Sequence, residues 1–208
     1  MAGLTLPRFY PIVDSEIAAG FGGEPLAVAD DILEAGAKIL QFRHKGFFSR
    51  EMVGTIERIA DLCRQAGALF VVNDRADIAR VVGAGLHLGQ DDLSPLPART
   101  VVGPETVIGF STHNESQLRA AADEPADYLA LGPIFSTSSK KNPDPAVGLE
   151  NLRQLRALTL RPLVAIGGIT RANADQVLAA GADSVAVIGD LFPDVRARAR
   201  DWLAQCGV

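Results

Sequence analysis

Eight short apolar runs divide this chain, each followed by a stretch with helical spacing. The runs cover residues 8–14, 38–45, 69–74, 85–89, 106–112, 129–135, 162–168 and 183–189. They carry Val, Ile, Leu and Ala continuously instead of alternating apolar with polar, as strands do when both faces are buried. Between them, 26–37, 50–66, 76–82, 115–122, 149–158, 171–180 and 195–206 place apolar residues at helical intervals, with Ser49 and Asn114 as N-caps. Only a weak helix or turn is expected near Pro95. A strand-then-helix unit of roughly 25 residues, repeated this often, predicts a compact (β/α)8 TIM barrel, smaller than the usual ~250 residues. A doubly wound open sheet is the rival. No G-x-G-x-x-G opens a helix after the first strand, which weakens the dinucleotide-binding form of that rival.

No domain boundary or low-complexity segment interrupts the pattern, so residues 1–208 are read as a single barrel domain. Glycine recurs where helices hand over to strands, in 34–37, 82–85 and 180–183. The net charge of −5 offers nothing for nucleic acid or an acidic membrane, so an anion site must come from local cations. The two cysteines, Cys63 and Cys206, lack metal or redox spacing and read as buried or terminal thiols. No apolar run is long enough for a membrane span, and the first residues do not resemble a signal peptide. A cytoplasmic protein is expected. Oligomeric state is not encoded visibly.

Barrels of this kind place their chemistry at the C-terminal ends of the strands. Polar residues gather there. Gln41, Arg43 and Lys45 alternate at period two on one strand face, and burying two cations together is costly unless a polyanion lies between them. His44 points the other way in this register. Asp74 and Asp92 close the third and fourth strands, which are neighbours in a barrel. Two carboxylates meeting at a mouth need a proton or a cation, and oxygen ligands beside phosphate-seeking lysines suggest Mg²⁺. Alternatively, Asp74 pairs with Arg75 or Arg43, and Asp91 and Asp92 cap the following helix. The sixth run empties into Ser136, Thr137, Ser138 and Ser139 and ends at Lys140, which supplies donors and charge for an anion. Gly167-Gly168 and Ile188-Gly189 follow the seventh and eighth strands, where such barrels build phosphate sites from backbone N–H groups.

Gln41-Phe-Arg-His-Lys45, Val72-Asn-Asp74, His87-Leu-Gly-Gln-Asp-Asp92, Gly109-Phe-Ser111, the stretch from Tyr128 to Thr137, Lys140 and Ile166-Gly-Gly-Ile169 occur in order. Together they resemble the thiamine-phosphate synthase family over about residues 8 to 191. The resemblance implies a compact (β/α)8 barrel that joins hydroxymethylpyrimidine diphosphate to a thiazole phosphate. Pyrophosphate is released and thiamine phosphate formed. It implies that Gln41, Arg43, Lys45, Asn73, Ser111 and Lys140 take the pyrimidine diphosphate, with Arg43, Lys45 and Lys140 as electrostatic catalysts. Asp74 and Asp92 would hold Mg²⁺. Thr137, Ser138, Ser139, Gly168, Ile188 and Gly189 would hold the thiazole phosphate.

Two positions depart from the family pattern. Gly189-Asp190 stands where a small hydroxyl residue is usual, so Asp190 should point away from any phosphate. Ser138-Ser139 replaces an acid and a threonine but keeps a hydroxyl. Residues 138–148, with lysines, prolines and Gly148, would suit a lid. The alternative is a paralogue on the same fold, of the thiazole tautomerase type, which would isomerise a thiazole phosphate without metal. His113 would be its acid/base. A non-catalytic sensor of phosphate ligands has no feature in its favour.

Overall fold

In the computed structural model of the chain, residues 4–137 and 144–207 are described. Eight parallel strands close into a barrel in the order β1 to β8. They are β1 (Phe9–Asp14), β2 (Ile39–Arg43), β3 (Leu69–Asn73), β4 (Gly85–Leu88), β5 (Ile108–Thr112), β6 (Tyr128–Leu131), β7 (Leu163–Ile166) and β8 (Ser184–Val187). Closure comes from β8 on β1, with Phe9, Tyr10 and Pro11 beside Val185, Ala186 and Val187. The helices are α1 (Ser15–Gly20), α2 (Pro25–Glu34), α3 (Arg50–Ala66), α4 (Ala76–Val82), α5 (Pro95–Val102), α6 (Glu115–Ala120), α7 (Gly148–Arg156), α8 (Ala174–Ala179) and α9 (Val195–Cys206).

The apolar strands serve two cores. Outward residues such as Phe9, Val13, Leu40, Phe42 and Val72 pack under the helices, while Tyr10, Ile12, Ile39, Val71, Tyr128, Ala130, Val164 and Ala186 fill the barrel. Continuous apolar sequence therefore reflects two buried faces. Local chemistry sets the helix ends. Ser49 accepts from Met52 N at 3.1 Å to start α3, and Gly67 ends it in the left-handed region at φ 61°. Between them α3 buries Ile56, Ile59, Ala60 and Cys63. Both cysteines are buried, and burial pushes the Cys63 thiol up to about 12. Among the described residues no helix is long and apolar enough to cross a membrane.

Three elements differ from the sequence reading. An extra helix, α1, follows β1 directly because Asp14 accepts from Glu16 N and Ile17 N, each at 3.0 Å. The weak turn near Pro95 is a helix, since Pro95 occupies its first turn, where no backbone donor is needed. The sixth run ends as a regular strand at Leu131, because Pro133 cannot donate to the ladder. The chain still follows β7, with Ile134 N on Ile166 O at 2.8 Å and Phe135 N on Gly167 O at 3.0 Å.

Candidate active site

A cavity of about 940 Å³ opens at the C-terminal ends of the strands. Of the residues singled out in the sequence, Gln41, Arg43, Lys45, Asn73, Asp74, Asp92, Ser111, Thr137, Gly168, Ile188 and Gly189 line it. Ser138, Ser139 and Lys140 lie outside the described residues, as does the first part of the expected lid.

Each cation here sits on a carboxylate. Arg43 and Asp14 are register partners on β1 and β2, and the guanidinium Nη1 donates to Asp14 Oδ2. The same carboxylate caps α1, so the arginine is held against a fixed anchor. Lys45 Nζ donates to Asp74 Oδ2. The two other pairings considered from sequence, Asp74 with Arg75 or with Arg43, are not made. Arg75 instead forks onto Asp77. Asp92 folds back to accept from Gly89 N at 2.8 Å and does not cap α5.

Asp74 is the electrostatic centre. Burial and its contact with the Asp92 side chain push its carboxyl up to about 6, and Lys45 pulls the other way. Its backbone is also unusual, with φ 65° in the left-handed region, a conformation that Asp tolerates better than most residues. Asp74 N still donates to His87 O at 2.8 Å, so this conformation turns the side chain at the end of an intact ladder. Two facing carboxylates, one keeping its proton to unusually high pH, form a donor set that a hard divalent cation would relieve. Among the described residues no larger cluster of His, Cys, Asp or Glu gathers for a transition metal.

The floor of the cavity is a chain of hydrogen bonds. Gln41 Nε2 donates to Tyr10 Oη at 3.0 Å, and the Tyr10 and Tyr128 hydroxyls are 2.8 Å apart. Tyr128 Oη lies 3.0 Å from His87 Nδ1, and His87 Nε2 is 2.9 Å from Ser111 Oγ. Burial pushes the Tyr10 hydroxyl up to about 12 and Tyr128 well above its ordinary value, so both keep their protons. Tyr10 and Asp14 escaped sequence reasoning as site residues, and Tyr128 and His87 were quoted without a role. The period-two rule applied to β1 would have placed Tyr10 and Asp14 on the inner face.

The β7 turn approaches the end of β6 closely. Cβ atoms on Gly167 and Gly168 would fall 2.4 Å from Pro133 Cβ and 2.6 Å from Ser136 O, and both residues have positive φ. Asn173 fastens this turn, donating from Nδ2 to Gly168 O at 3.0 Å and accepting from Thr170 N at 2.9 Å. The result is a tight strand-to-helix turn against Phe135 and Ser136, lining the cavity.

Residues 9–191 match the family model described as thiamine monophosphate synthase. The chain belongs to the thiamine monophosphate synthase family. Its activity is accordingly that of a thiamine-phosphate synthase, a transferase. A thiamine-phosphate synthase of Koribacter versatilis is 51% identical, with 97% of each chain covered. One of Moorella thermoacetica is 46% identical, covering 92% of this chain and 91% of the relative. Among solved structures, thiamine phosphate pyrophosphorylase from Pyrococcus furiosus superposes with a TM-score of 0.86 at 32% identity, covering 97% of this chain and 96% of the other.

Within a thiamine monophosphate synthase barrel, the departure at Asp190 has a local explanation. Asp190 borders the cavity, but its carboxylate is engaged by the protein, with Oδ2 accepting from Trp202 Nε1 at 3.0 Å and Arg171 N at 3.3 Å. Arg171 and Arg198 add ion pairs at 3.5 and 3.8 Å. The Gly189 backbone at the cavity is left without a side chain in its way. His44 faces outward, with Nδ1 2.7 Å from Ser15 Oγ and its ring edge-on to Phe48. His113, the residue on which a tautomerase would depend, lines the cavity, its Nδ1 2.5 Å from Gly132 O and 3.6 Å from Asp144 Oδ2.

Proposed function

We propose that the chain joins hydroxymethylpyrimidine diphosphate to a thiazole phosphate in a Mg²⁺-dependent reaction in the cytoplasm, releasing pyrophosphate and forming thiamine phosphate. The observation that carries the metal dependence is the Asp74–Asp92 pair, whose mutual repulsion a divalent cation would relieve. Asp74 and Asp92 would hold Mg²⁺, which when bound supplies charge neutralisation for the leaving diphosphate.

The chain's own residues do the rest. Gln41, Asn73 and Ser111 receive the pyrimidine end at the inner wall. Lys45 is half-exposed, so Nζ can swing from Asp74 to a diphosphate oxygen. Arg43 stays anchored on Asp14 and offers its remaining N–H groups, because a guanidinium carries five donors. The bond between the methylene carbon and the diphosphate oxygen breaks with its electron pair on oxygen. The amino-substituted ring shares the positive charge left on carbon, and the thiazole nitrogen lone pair closes the new C–N bond. Arg43 and Lys45 lower the barrier by meeting charge that grows on the leaving group. That nitrogen carries no proton, so no protein base is needed. The thiazole phosphate is received by Thr137 and by the backbone of Gly168, Ile188 and Gly189. Ser138, Ser139 and the electrostatic part of Lys140 rest on the family resemblance alone.

Pyrophosphate release by the purified protein tests the reading. Release should require both substrates and stop with EDTA. Release without the thiazole phosphate, or release indifferent to EDTA, would overturn it.

A further inference from the structure

We propose that the buried chain Gln41–Tyr10–Tyr128–His87–Ser111 sets the hydrogen-bond polarity of the cavity. It holds His87 as the Nε2–H tautomer, leaves Ser111 as a donor, and so selects an amino-substituted nitrogen heterocycle over its oxo counterpart. Tyr10, Tyr128 and His87 are then positioning residues for specificity.

The argument is a count of protons. A hydroxyl carries one, so a line of hydroxyls can point only one way. Gln41 Nε2 donates to Tyr10 Oη. The Tyr10 proton is then spent on Tyr128 at 2.8 Å, and the Tyr128 proton on His87 Nδ1 at 3.0 Å. A neutral His87 that accepts at Nδ1 must carry its proton on Nε2, which lies 2.9 Å from Ser111 Oγ. Ser111 thus accepts from within and gives its own proton to the cavity it lines. At the other end, the Gln41 amide has spent one N–H inward and keeps its carbonyl oxygen and second N–H for a ligand. Aligned hydrogen bonds in a buried setting also reinforce one another, which favours a single direction.

Backbone register builds this arrangement. His87 pairs with Gly109, and Gly109 with Tyr128. The Tyr128 ring crosses the glycine and stacks on His87, centroids 5.6 Å apart. A Cβ on Gly109 would lie 2.1 Å from that ring. An aminopyrimidine presents a ring-nitrogen acceptor, which suits a donating Ser111. The oxo form carries a proton on that ring nitrogen, which a donating Ser111 does not match. The selectivity rests on the synthase reading of the cavity, whereas the tautomer does not.

The test uses the full chain labelled with ¹⁵N-histidine. It contains three histidines, and a His87→Gln variant identifies the signal. Nitrogen shifts should show Nε2 protonated and Nδ1 bare, and Tyr128→Phe should shift the ring towards a mixture of tautomers. An Nδ1–H or doubly protonated ring in the parent overturns the proposal. In a second arm, the pyrimidine diphosphate and its oxo analogue compete for binding. The parent should prefer the amino form, and Tyr128→Phe should reduce that preference by about tenfold, one net hydrogen bond's worth. Tyr10→Phe cuts the same chain should Tyr128→Phe not fold. An unchanged preference in the folded variants overturns the selectivity. If the parent binds neither probe, the pyrimidine assignment fails together with the selectivity, and the nitrogen shifts still decide the tautomer.

Discussion

Replacing Asp74 with Asn should stabilise the metal-free protein while sharply lowering its activity. Burial and the Asp92 side chain push the Asp74 carboxyl up from an ordinary 3.8 to about 6. The folded state therefore holds this proton more tightly than the unfolded chain does. Stability falls as pH rises between those two values, and above about 6 the full penalty applies. A rise from 3.8 to about 6 corresponds to ~3 kcal/mol. Solvent reaches the rim of the site, so screening reduces this to ~1–2 kcal/mol. Asn mimics the protonated acid and accepts the left-handed φ of 65° that Ala would resist. The variant frees Lys45, which is exposed enough to be rehydrated. Thermal unfolding in EDTA at pH 7.5 should place Asp74→Asn about 3–6 °C above the parent, a gap that closes near pH 4. Added Mg²⁺ should raise the parent and not the variant, because only a binding-competent native state gains from ligand. Pyrophosphate release by the variant should fall by about a hundredfold or more. A variant less stable than the parent at pH 7.5, with the same gap at pH 4, would refute the electrostatic reasoning.

Gly109→Ala should lower stability by about 1–3 kcal/mol, seen as a drop in the denaturant midpoint, because the new methyl meets the Tyr128 ring at 2.1 Å. Gly168→Ala should raise KM for the thiazole phosphate by about tenfold or more in steady-state assays, since its φ of 64° and the Ser136 carbonyl at 2.6 Å force the turn to shift. Lys45→Ala should cut turnover by about a hundredfold, while His44→Ala, altering an outward ring, should keep kcat within about threefold. A dead but folded His44→Ala protein would reverse that ranking.

The barrel was legible because its signal is repetitive. Eight buried strands and their amphipathic partners impose a period that no single residue can mask, and capping residues such as Ser49 and Gly67 mark helix ends locally. The short helix α1 was missed because one side chain, Asp14, starts it and no apolar periodicity announces it. Many of the residues expected at the mouth do line the cavity, since barrel chemistry sits at strand ends and the sequence shows where strands end.

By itself the sequence determined the alternation, the strand-end inventory and the ordered motifs that mark the family. Tertiary structure decided the partners. That Arg43 leans on Asp14 follows from β1–β2 register, and that Tyr128 reaches His87 follows from a glycine between them on β5. Whether Asp190 faces a phosphate or an indole also depends on where α9 packs. Pairings across tens of residues depend on closure of the barrel and the relative shift of its strands, and no local pattern in the chain encodes either.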